Sequence, residues 1–195
     1  IKIITIAPEL PGALEFIGKA SAMGITIALG HSAADWETTE KAVEAGANHV
    51  THLFNAMPAF HHRKANLLSY ILTRHNLSIE LIADGEHVAP EILSLACNLH
   101  ENSQIIFISD AVAVAGMPDG EYHLYDSNLS KKGQRCCLPD GSLFGGATIL
   151  PECLNQLSDK TGFAWGLLGT AVWRTPCNLL GIEPPDTETF FDLDM

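Results

Sequence analysis

Four polar motifs occupy one stretch of the sequence: Gly30-His31-Ser32, Thr51-His52-Leu53-Phe54-Asn55-Ala56-Met57-Pro58, Ile82-Ala83-Asp84-Gly85-Glu86-His87 and Ile108-Ser109-Asp110-Ala111. Each motif stands where an apolar run ends, so we expect its polar side chains at the end of a buried strand. In a parallel barrel all strand ends converge on one mouth, where active sites lie. The stretch therefore predicts a site assembled from the ends of successive strands.

Short runs rich in β-branched residues recur along the chain, at 1–6, 25–30, 49–53, 79–84 and 104–110. They are almost continuously apolar, which is typical of parallel strands that are covered on both faces. Helical patterns lie between them, so we expect an α/β fold of repeated strand–helix units. A TIM-type (β/α)8 barrel and a doubly wound sheet both fit this order. We favour the barrel, because polar residues at four consecutive strand ends can meet there.

The predicted helices have recognisable ends. Pro11 is expected to open the first helix, and Ser32 to cap a second helix that runs to about Glu44. A third helix is expected around Leu67–Leu72, and Pro90 is expected to start a fourth. The strands and helices thus alternate as far as Asp110.

The pattern changes after Asp110. The segments 122–125 and 135–138, with a turn signal at Pro139-Asp140-Gly141, predict a β-hairpin excursion over the barrel mouth. Two helices are expected after it, near 150–160 and 163–180.

The expected domain organisation is one partial barrel domain over residues 1–182 and an acidic C-terminal tail over residues 183–195. The tail contains Pro184-Pro185 and reads as a loose end. Five strands do not close an eight-stranded barrel, so we expect only strands four to eight of a larger domain. A complete, smaller α/β fold remains the alternative.

The net charge of the sequence disfavours two kinds of binding partner, nucleic acid and anionic membranes. The net charge of −12 disfavours nonspecific binding to nucleic acid or to anionic membranes, because the average field repels polyanions. No run approaches the ~20 apolar residues of a membrane span, and the first six residues lack the charged start of a signal peptide. We therefore expect a cytoplasmic protein.

The five cysteines show no C-x-x-C spacing, which favours idle thiols over a disulfide framework or a thiolate metal site.

His31 and His52 are the candidate metal ligands. Neutral imidazole is a common ligand for zinc and related ions, and catalytic zinc sites use about three protein ligands. Either histidine alone would more often be a hydrogen-bonded core or surface residue. Two histidines at adjacent strand ends, with Asp110 two strands further on, favour a metal site instead. Asp110 is the candidate general base, with a turn cap as its alternative role. A site with two histidines is short of one ligand, and no suitable carboxylate other than Glu9 stands at a strand end. We therefore expect the missing ligand in an N-terminal part that precedes this sequence.

The remaining candidates bind substrate. His87 can hydrogen-bond a substrate hydroxyl or a developing oxyanion, although a plain loop histidine is its alternative. The backbone near Asn55 and Ala56, together with the Arg63 guanidinium, can grip a phosphate, although Arg63 alone reads as a surface charge. No spacing typical of nucleotide hydrolysis, serine hydrolysis or zincin chemistry occurs.

These motifs resemble, in order, the sequence blocks of the N-acetylglucosamine-6-phosphate deacetylases of the amidohydrolase superfamily. The blocks are Ala7-Pro8-Glu9, Gly30-His31-Ser32, Thr51 to Pro58, His61-His62-Arg63, Ile82 to His87, Ser109-Asp110-Ala111 and Ala115-Gly116-Met117-Pro118-Asp119-Gly120. The resemblance covers most of positions 1 to about 182. Its several ordered motifs make it far more specific than any single one.

The resemblance implies a TIM-type barrel with His31 and His52 as metal ligands and Asp110 as the catalytic acid and base. It implies zinc as the divalent ion, with iron, manganese or cobalt as alternatives, and a homodimer in which the Arg63 loop serves a neighbour's site. Seven further residues are implied as substrate contacts: Asn55, Ala56, Arg63 and His87 at the sugar phosphate, and Leu143, Phe144 and Gly145 along the pocket.

The implied reaction is hydrolysis of the acetamide of N-acetylglucosamine 6-phosphate to glucosamine 6-phosphate and acetate. The alternatives are the galactosamine epimer, another acylated amine, and a truncated, catalytically silent remnant. The chain departs from the family pattern in lacking the block with a glutamate metal ligand and the C-terminal strands of a small β-sandwich. It also carries Lys64-Ala65-Asn66 where an acidic residue, proline and glycine are common, and Leu143-Phe144-Gly145-Gly146 in place of a smaller, serine-containing segment.

Overall fold

A parallel sheet carries the four polar motifs. A computed structural model describes residues 1–184 of the protein. Its N-terminal part contains these elements in order: β1 (Ile3–Ile6), α1 (Ala13–Ala22), β2 (Thr26–Leu29), α2 (Trp36–Glu44), β3 (His49–Val50), α3 (Leu67–Thr73), β4 (Ser78–Ile82), α4 (Pro90–Leu99), a 3-10 helix (Asn102–Gln104) and β5 (Ile105–Ile108). The alternation of strands and helices is as predicted.

The five strands pair side by side in sequence order, and every pair is parallel. A doubly wound sheet reverses its strand order at a switch point, whereas a barrel does not. The described sheet shows no such reversal. The strand order therefore supports the barrel reading, and all five strand ends with their motifs lie along one edge of the sheet.

One hydrophobic core joins the sheet to its helices. All four residues of β2 are buried, and Ile17 of α1, Leu67 of α3 and Leu93 of α4 are fully buried against the sheet. The apolar side of each helix packs on the strands in this way, as expected for amphipathic helices on a parallel sheet. The polar residues at the strand ends lie outside this core, so they are available to form a functional site.

The start of α2 corrects one prediction. Ser32 does not cap this helix; Asp35 does, with its carboxylate accepting the Thr38 N–H at 2.8 Å. The reason is the left-handed backbone at His31 (φ 49°), after which the chain needs several residues to turn into the helix. The Ser32 hydroxyl instead donates to the Glu9 carboxylate at 2.7 Å. The fourth helix does begin at Pro90, as predicted.

The excursion after Asp110 is larger than a hairpin. It is an antiparallel sheet of four strands in sequence order: β6 (Gly120–Leu124), β7 (Ser127–Lys132), β8 (Arg135–Cys137) and β9 (Leu143–Gly146). The sequence did not indicate β7, because that strand is mostly polar and buries Leu129 and Lys131 alone. The sheet has a small apolar core of its own around Leu129 and Cys136.

Strand β9 joins the antiparallel sheet to the end of β5. The Gly146 N–H donates to the Asp110 carbonyl at 2.8 Å, and the Val112 N–H donates to the Gly146 carbonyl at 2.9 Å. A Cβ at Gly146 would stand 2.1 Å from the Ser109 carbonyl oxygen, so the close approach requires glycine. This junction brings β9 to the same edge as the polar motifs.

The described chain ends in helices. The first is α5 (Leu150–Thr161), and the helix expected near 163–180 is divided into α6 (Trp165–Gly169), a π-helical turn (Thr170–Arg174) and α7 (Thr175–Leu180). Pro176 lies in the first turn of α7 and has no N–H to donate to the preceding turn, which accounts for the interruption. The predicted tail lies outside the described residues from position 185 onward. The boundary at residue 182 stays a prediction.

The cysteines behave as expected from the sequence, since all five are free. Cys97, Cys136 and Cys153 are buried. Burial raises the pKa of the Cys97 and Cys153 thiols to about 12, so both stay protonated and unreactive at neutral pH. Among residues 1–184, no helix combines the length and the apolar character needed to cross a bilayer.

Candidate active site

A cavity of about 300 Å³ opens at the edge of the sheet where the polar motifs end. It is lined by eight of the ten residues that the sequence proposed for the site: His31, His52, Asn55, Ala56, His87, Asp110, Leu143 and Phe144. These residues come from the ends of β2, β3, β4 and β5 and from β9. Gly145 follows Phe144 on β9 and is buried, and Arg63 lies away from the lining.

The two candidate metal ligands meet inside this cavity. The Nε2 atoms of His31 and His52 are 2.9 Å apart, and the two rings meet edge to face. Two nitrogens bound to one zinc ion, each about 2.0–2.1 Å from it, are separated by no more than about 4.2 Å. The separation therefore allows both nitrogens to touch one cation.

The described residues provide two ligands of a metal site, the Nε2 atoms of His31 and His52. His52 is buried, and its other nitrogen, Nδ1, has no hydrogen-bond partner within residues 1–184. The same part of the chain contains no group of three or more histidine, cysteine, aspartate or glutamate side chains that could hold a metal. The Glu9 carboxylate is occupied by the Ser32 hydroxyl and the Ala33 N–H. The histidine pair fits two of the about three protein ligands that a catalytic zinc site uses.

Three strand ends share a strained backbone. The φ angle is 49° at His31, 31° at His52 and 48° at Asp110, in the left-handed region that residues other than glycine rarely adopt. Each such residue costs of order 1–3 kcal/mol and persists when its surroundings hold it in place. Strain of this kind clusters at functional sites, and here it turns the three side chains from the strands into the cavity.

Asp110 shares the cavity with the histidine pair. Its backbone carbonyl accepts the Gly146 N–H, which holds the turn at the end of β5. Within residues 1–184 its carboxylate accepts no hydrogen bond, so the role of turn cap is not seen there. The carboxylate is exposed to the cavity and available to exchange a proton.

His87 is oriented by a residue to which the sequence analysis gave no role. The Asp84 carboxylate, 1% exposed, lies 2.7 Å from His87 Nδ1 and also accepts the N–H groups of Glu86 and His87. Burial by itself raises the pKa of Asp84, but these hydrogen bonds outweigh it and lower the pKa overall. An ionised Asp84 takes the Nδ1 proton as a hydrogen bond, so Nε2 of His87 is the nitrogen left for a ligand. The Asp-x-x-His spacing was the signal for this pair.

Two further polar residues behind His52 were missed. His49 on β3 is fully buried, with its Nδ1 2.8 Å from the Ser78 hydroxyl and its Nε2 3.0 Å from a Glu80 oxygen. The other Glu80 oxygen accepts the His52 N–H at 3.3 Å. Burial by itself raises the pKa of Glu80, but the hydrogen bonds from His49 and from the His52 N–H lower it overall. Charged side chains inside apolar strands were the signal for this network.

Of the three residues predicted to bind phosphate, Asn55 and Ala56 line the cavity and Arg63 does not. The Asn55 amide donates to the carbonyls of His52 and Leu53, which leaves its side-chain oxygen for other partners. Ala56 lines the cavity with a left-handed backbone (φ 51°). Arg63 is exposed, and its guanidinium lies 2.6 Å from the His62 ring. The chain does not bring Arg63 to its own cavity.

The antiparallel sheet is fastened to the loop that carries His87. Arg135 of β8 donates to the Glu86 carboxylate at 3.0 Å. Glu86 directly precedes His87, so the contact ties the sheet above the cavity to the loop beside it. Both partners are partly exposed, and a surface ion pair of this kind contributes little to stability.

Comparison with known proteins shows which enzymes this chain resembles. No protein-family model matches the chain. It is 33% identical over 183 residues to the N-acetylgalactosamine-6-phosphate deacetylase of Escherichia coli O157:H7, which covers 94% of this chain and 48% of that protein. It is 33% identical over 182 residues to the N-acetylglucosamine-6-phosphate deacetylase of Bacillus subtilis strain 168, covering 93% and 46%. The chain thus spans about half the length of the curated relatives it matches.

Solved structures agree with these relatives. The N-acetylglucosamine-6-phosphate deacetylase of Thermotoga maritima superposes with a TM-score of 0.86 at 27% identity, over 92% of this chain and 49% of that one. A variant of the Mycobacterium smegmatis enzyme in complex with N-acetyl-D-glucosamine-6-phosphate superposes with a TM-score of 0.87 at 27% identity, over 94% and 50%.

The chain therefore has the fold of the corresponding part of these deacetylases, an α/β TIM-type barrel, as predicted. Within that class, the resemblance to the N-acetylglucosamine-6-phosphate deacetylases is confirmed across nearly the whole chain.

Proposed function

We propose that this chain supplies the active-site residues of a metal-dependent deacetylase that hydrolyses the acetamide of N-acetylglucosamine 6-phosphate to glucosamine 6-phosphate and acetate. The observation that carries the proposal is the 2.9 Å approach of the His31 and His52 Nε2 atoms in a cavity that also contains Asp110. Relatives named for this activity match the chain over more than nine-tenths of its length.

The metal would be held by Nε2 of His31 and Nε2 of His52. We propose zinc, with iron, manganese or cobalt as alternatives. A bound divalent ion supplies Lewis acidity, which lowers the pKa of a bound water and polarises the amide carbonyl. The strained backbones at the two histidines keep both nitrogens facing the cavity before any substrate arrives.

Asp110 is the proposed acid and base. Its carboxylate faces the same cavity and accepts no hydrogen bond from residues 1–184, so it is free to take the proton of the attacking water. The same proton then passes to the amine nitrogen as the carbon–nitrogen bond breaks, which releases acetate and the amino sugar phosphate. General acid and base catalysis of this kind contributes about 10²–10⁴-fold.

His87 is proposed to orient the sugar or to stabilise the oxyanion through Nε2. The Asp84 carboxylate on Nδ1 supports the first role, since it fixes the ring plane and leaves Nε2 facing the ligand. Leu143, Phe144 and Gly145 are proposed to form the wall of the substrate pocket, of which the first two line the cavity.

The phosphate is proposed to be bound by Asn55, by the Ala56 backbone and by Arg63. Because Arg63 lies away from the cavity of its own chain, we propose a homodimer in which this side chain serves the partner's cavity. A phosphorylated sugar does not cross a membrane unaided, because its charge is costly to move into hydrocarbon. We therefore propose a cytoplasmic location.

A second candidate substrate is N-acetylgalactosamine 6-phosphate. The specific observation in its favour is the E. coli O157:H7 relative, named for that activity and 33% identical to this chain. The two sugars differ in the orientation of one hydroxyl, so they would share the amide chemistry at His31, His52 and Asp110. The rates of acetate release from the two sugar phosphates decide between the two candidate substrates.

The test is acetate release by the 195-residue chain from each sugar phosphate, with zinc added and with zinc removed by a chelator. We expect zinc-dependent acetate release that is faster with the glucosamine epimer. Faster release from the galactosamine epimer would support the second candidate. No acetate from either sugar, both with this chain and with one extended at its N terminus to supply a third metal ligand, would reject the proposal. Zinc binding without acetate would then leave a catalytically silent chain.

A further inference from the structure

Glu80 is a partly buried carboxylate that lies behind the cavity and touches the turn that carries His52. It sits on β4, the neighbour of β3, and its two oxygens face different partners. One oxygen is 3.0 Å from His49 Nε2, and the other accepts the His52 N–H at 3.3 Å. Within residues 1–184, no other side chain bonds the backbone N–H of His52, so Glu80 is its sole side-chain partner there.

The backbone of Glu80 holds the same turn from a second side. Its carbonyl oxygen accepts the Leu53 N–H at 2.8 Å. The consecutive N–H groups of His52 and Leu53 are therefore both bound by one residue. A residue other than glycine at φ 31° persists only when its surroundings hold it. Glu80 provides two of the bonds that do so.

His49 orients the Glu80 side chain. The imidazole is fully buried, and both of its nitrogens bond to β4, at Ser78 and at Glu80. Ser78 and Glu80 are two positions apart on one strand, so their side chains lie on the same face. The ring therefore cannot turn away from Glu80 without losing a buried hydrogen bond, which costs about 1–3 kcal/mol.

We propose that Glu80 is a positioning residue: its carboxylate, oriented by His49, fixes the left-handed turn at His52 and so aims the His52 Nε2 at the His31 Nε2. The inference rests on the proposed function for its catalytic meaning, but the geometry that it assigns to Glu80 exists without a bound ion. Residues that orient a metal ligand from behind typically change metal affinity by about 10–100-fold when they are replaced.

Glu80→Met is the variant that tests the proposal. Methionine is about as long as glutamate but has no oxygen that could accept from His49 or from the His52 N–H. Glu80→Asp is the second variant, because it keeps the charge but is one methylene too short to reach both partners. Ser78→Ala is the matched control, because it removes the other buried hydrogen bond of the same imidazole and does not touch His52.

Two measurements are made on each folded variant of the 195-residue chain at a temperature well below its unfolding transition. The first is the affinity for zinc, by competition with a chelating dye. The second is hydrogen exchange of the His52 amide in the metal-free protein. We expect Glu80→Met to weaken zinc binding about tenfold or more and to speed exchange at His52, while Ser78→Ala changes neither by more than about twofold.

Unchanged exchange at His52 in both Glu80 variants would overturn the proposal, as would an equal loss of zinc affinity in Ser78→Ala. If Glu80→Met does not fold, Glu80→Asp decides by the same two criteria. If the wild-type chain binds no zinc, the proposed function fails, and the exchange measurement alone decides whether Glu80 holds the turn.

Discussion

Nε2 of His31 lies 2.9 Å from Nε2 of His52, at the ends of two neighbouring parallel strands. Two neutral imidazoles at this distance share one proton in a hydrogen bond, and a cation that binds both nitrogens must displace that proton. The 2.9 Å distance therefore fits both a hydrogen-bonded, metal-free histidine pair and a pair that binds a metal ion. An experiment that measures binding of a divalent ion distinguishes these two possibilities.

Zinc is expected to raise the unfolding temperature of the wild-type chain. A ligand that binds only the folded state stabilises it by about 2.7 kcal/mol at a free concentration one hundred times its Kd. His31→Asn and His52→Asn should each remove most of the zinc-dependent rise, because each leaves a single nitrogen. Thermal unfolding at several zinc concentrations measures this, and His123→Asn, on the antiparallel sheet, is the matched control. A variant of either ligand that keeps the full rise would exclude that histidine from the metal site.

Asp110→Asn is expected to keep zinc binding and to lose turnover. An amide cannot take the proton of the attacking water, so kcat should fall by about 10²–10⁴-fold. The φ of 48° at Asp110 makes asparagine the suitable replacement, because asparagine tolerates the left-handed backbone well. Acetate release gives the rate, and the zinc-dependent rise in unfolding temperature shows whether the site remains intact. Near-normal turnover would remove Asp110 from the catalytic step.

The sequence predicted the strand order and the convergence of four motifs because apolar runs and their polar ends are local signals. It did not predict the Glu80 network, because hydrogen bonds between neighbouring strands depend on register, which no single run reveals. It assigned the helix cap to Ser32 rather than Asp35, because the left-handed backbone at His31 is set by the tertiary turn. The sequence did not predict strand β7, because only two of its side chains, Leu129 and Lys131, are buried.

Arg63→Ala is expected to weaken binding of the sugar phosphate more than binding of the unphosphorylated sugar. A hydrogen bond to a charged group contributes about 1.5–3 kcal/mol, which corresponds to a loss of roughly 10–100-fold in affinity for the phosphorylated form. Lys64→Ala, which removes the neighbouring exposed charge, is the control for a change in overall charge. Binding is measured by calorimetry with the Asp110→Asn variant, so that no turnover occurs. Equal losses for both sugars would rule out a phosphate contact.

Asp84→Asn is expected to destabilise the chain at neutral pH and to lower turnover through His87. The bonds that Asp84 accepts from His87 and Glu86 depress its pKa below the usual 3.8, although burial alone would raise it. A carboxylate with a depressed pKa stabilises the folded state above pH 3.8, and this contribution disappears as the pH falls through the depressed value. Urea unfolding at pH 7 should show a loss of about 1.5–3 kcal/mol. The gap between variant and wild type should narrow as the pH falls below 3.8 and through the depressed pKa of Asp84, and a constant gap would contradict the assignment.

His100→Leu is expected to make the chain more stable in mild acid. Burial lowers the pKa of His100 below 6.5, His75 lowers it further, and neither ring nitrogen of His100 has a hydrogen-bond partner within residues 1–184. The unfolded chain therefore takes up a proton at a higher pH than the folded chain. The wild type should lose stability as the pH falls below 6.5, until the depressed folded-state pKa is passed. Leucine removes both the titration and the unsatisfied nitrogens, so unfolding curves between pH 8 and pH 5 should flatten. A variant with the wild-type slope would show that another group causes the acid sensitivity.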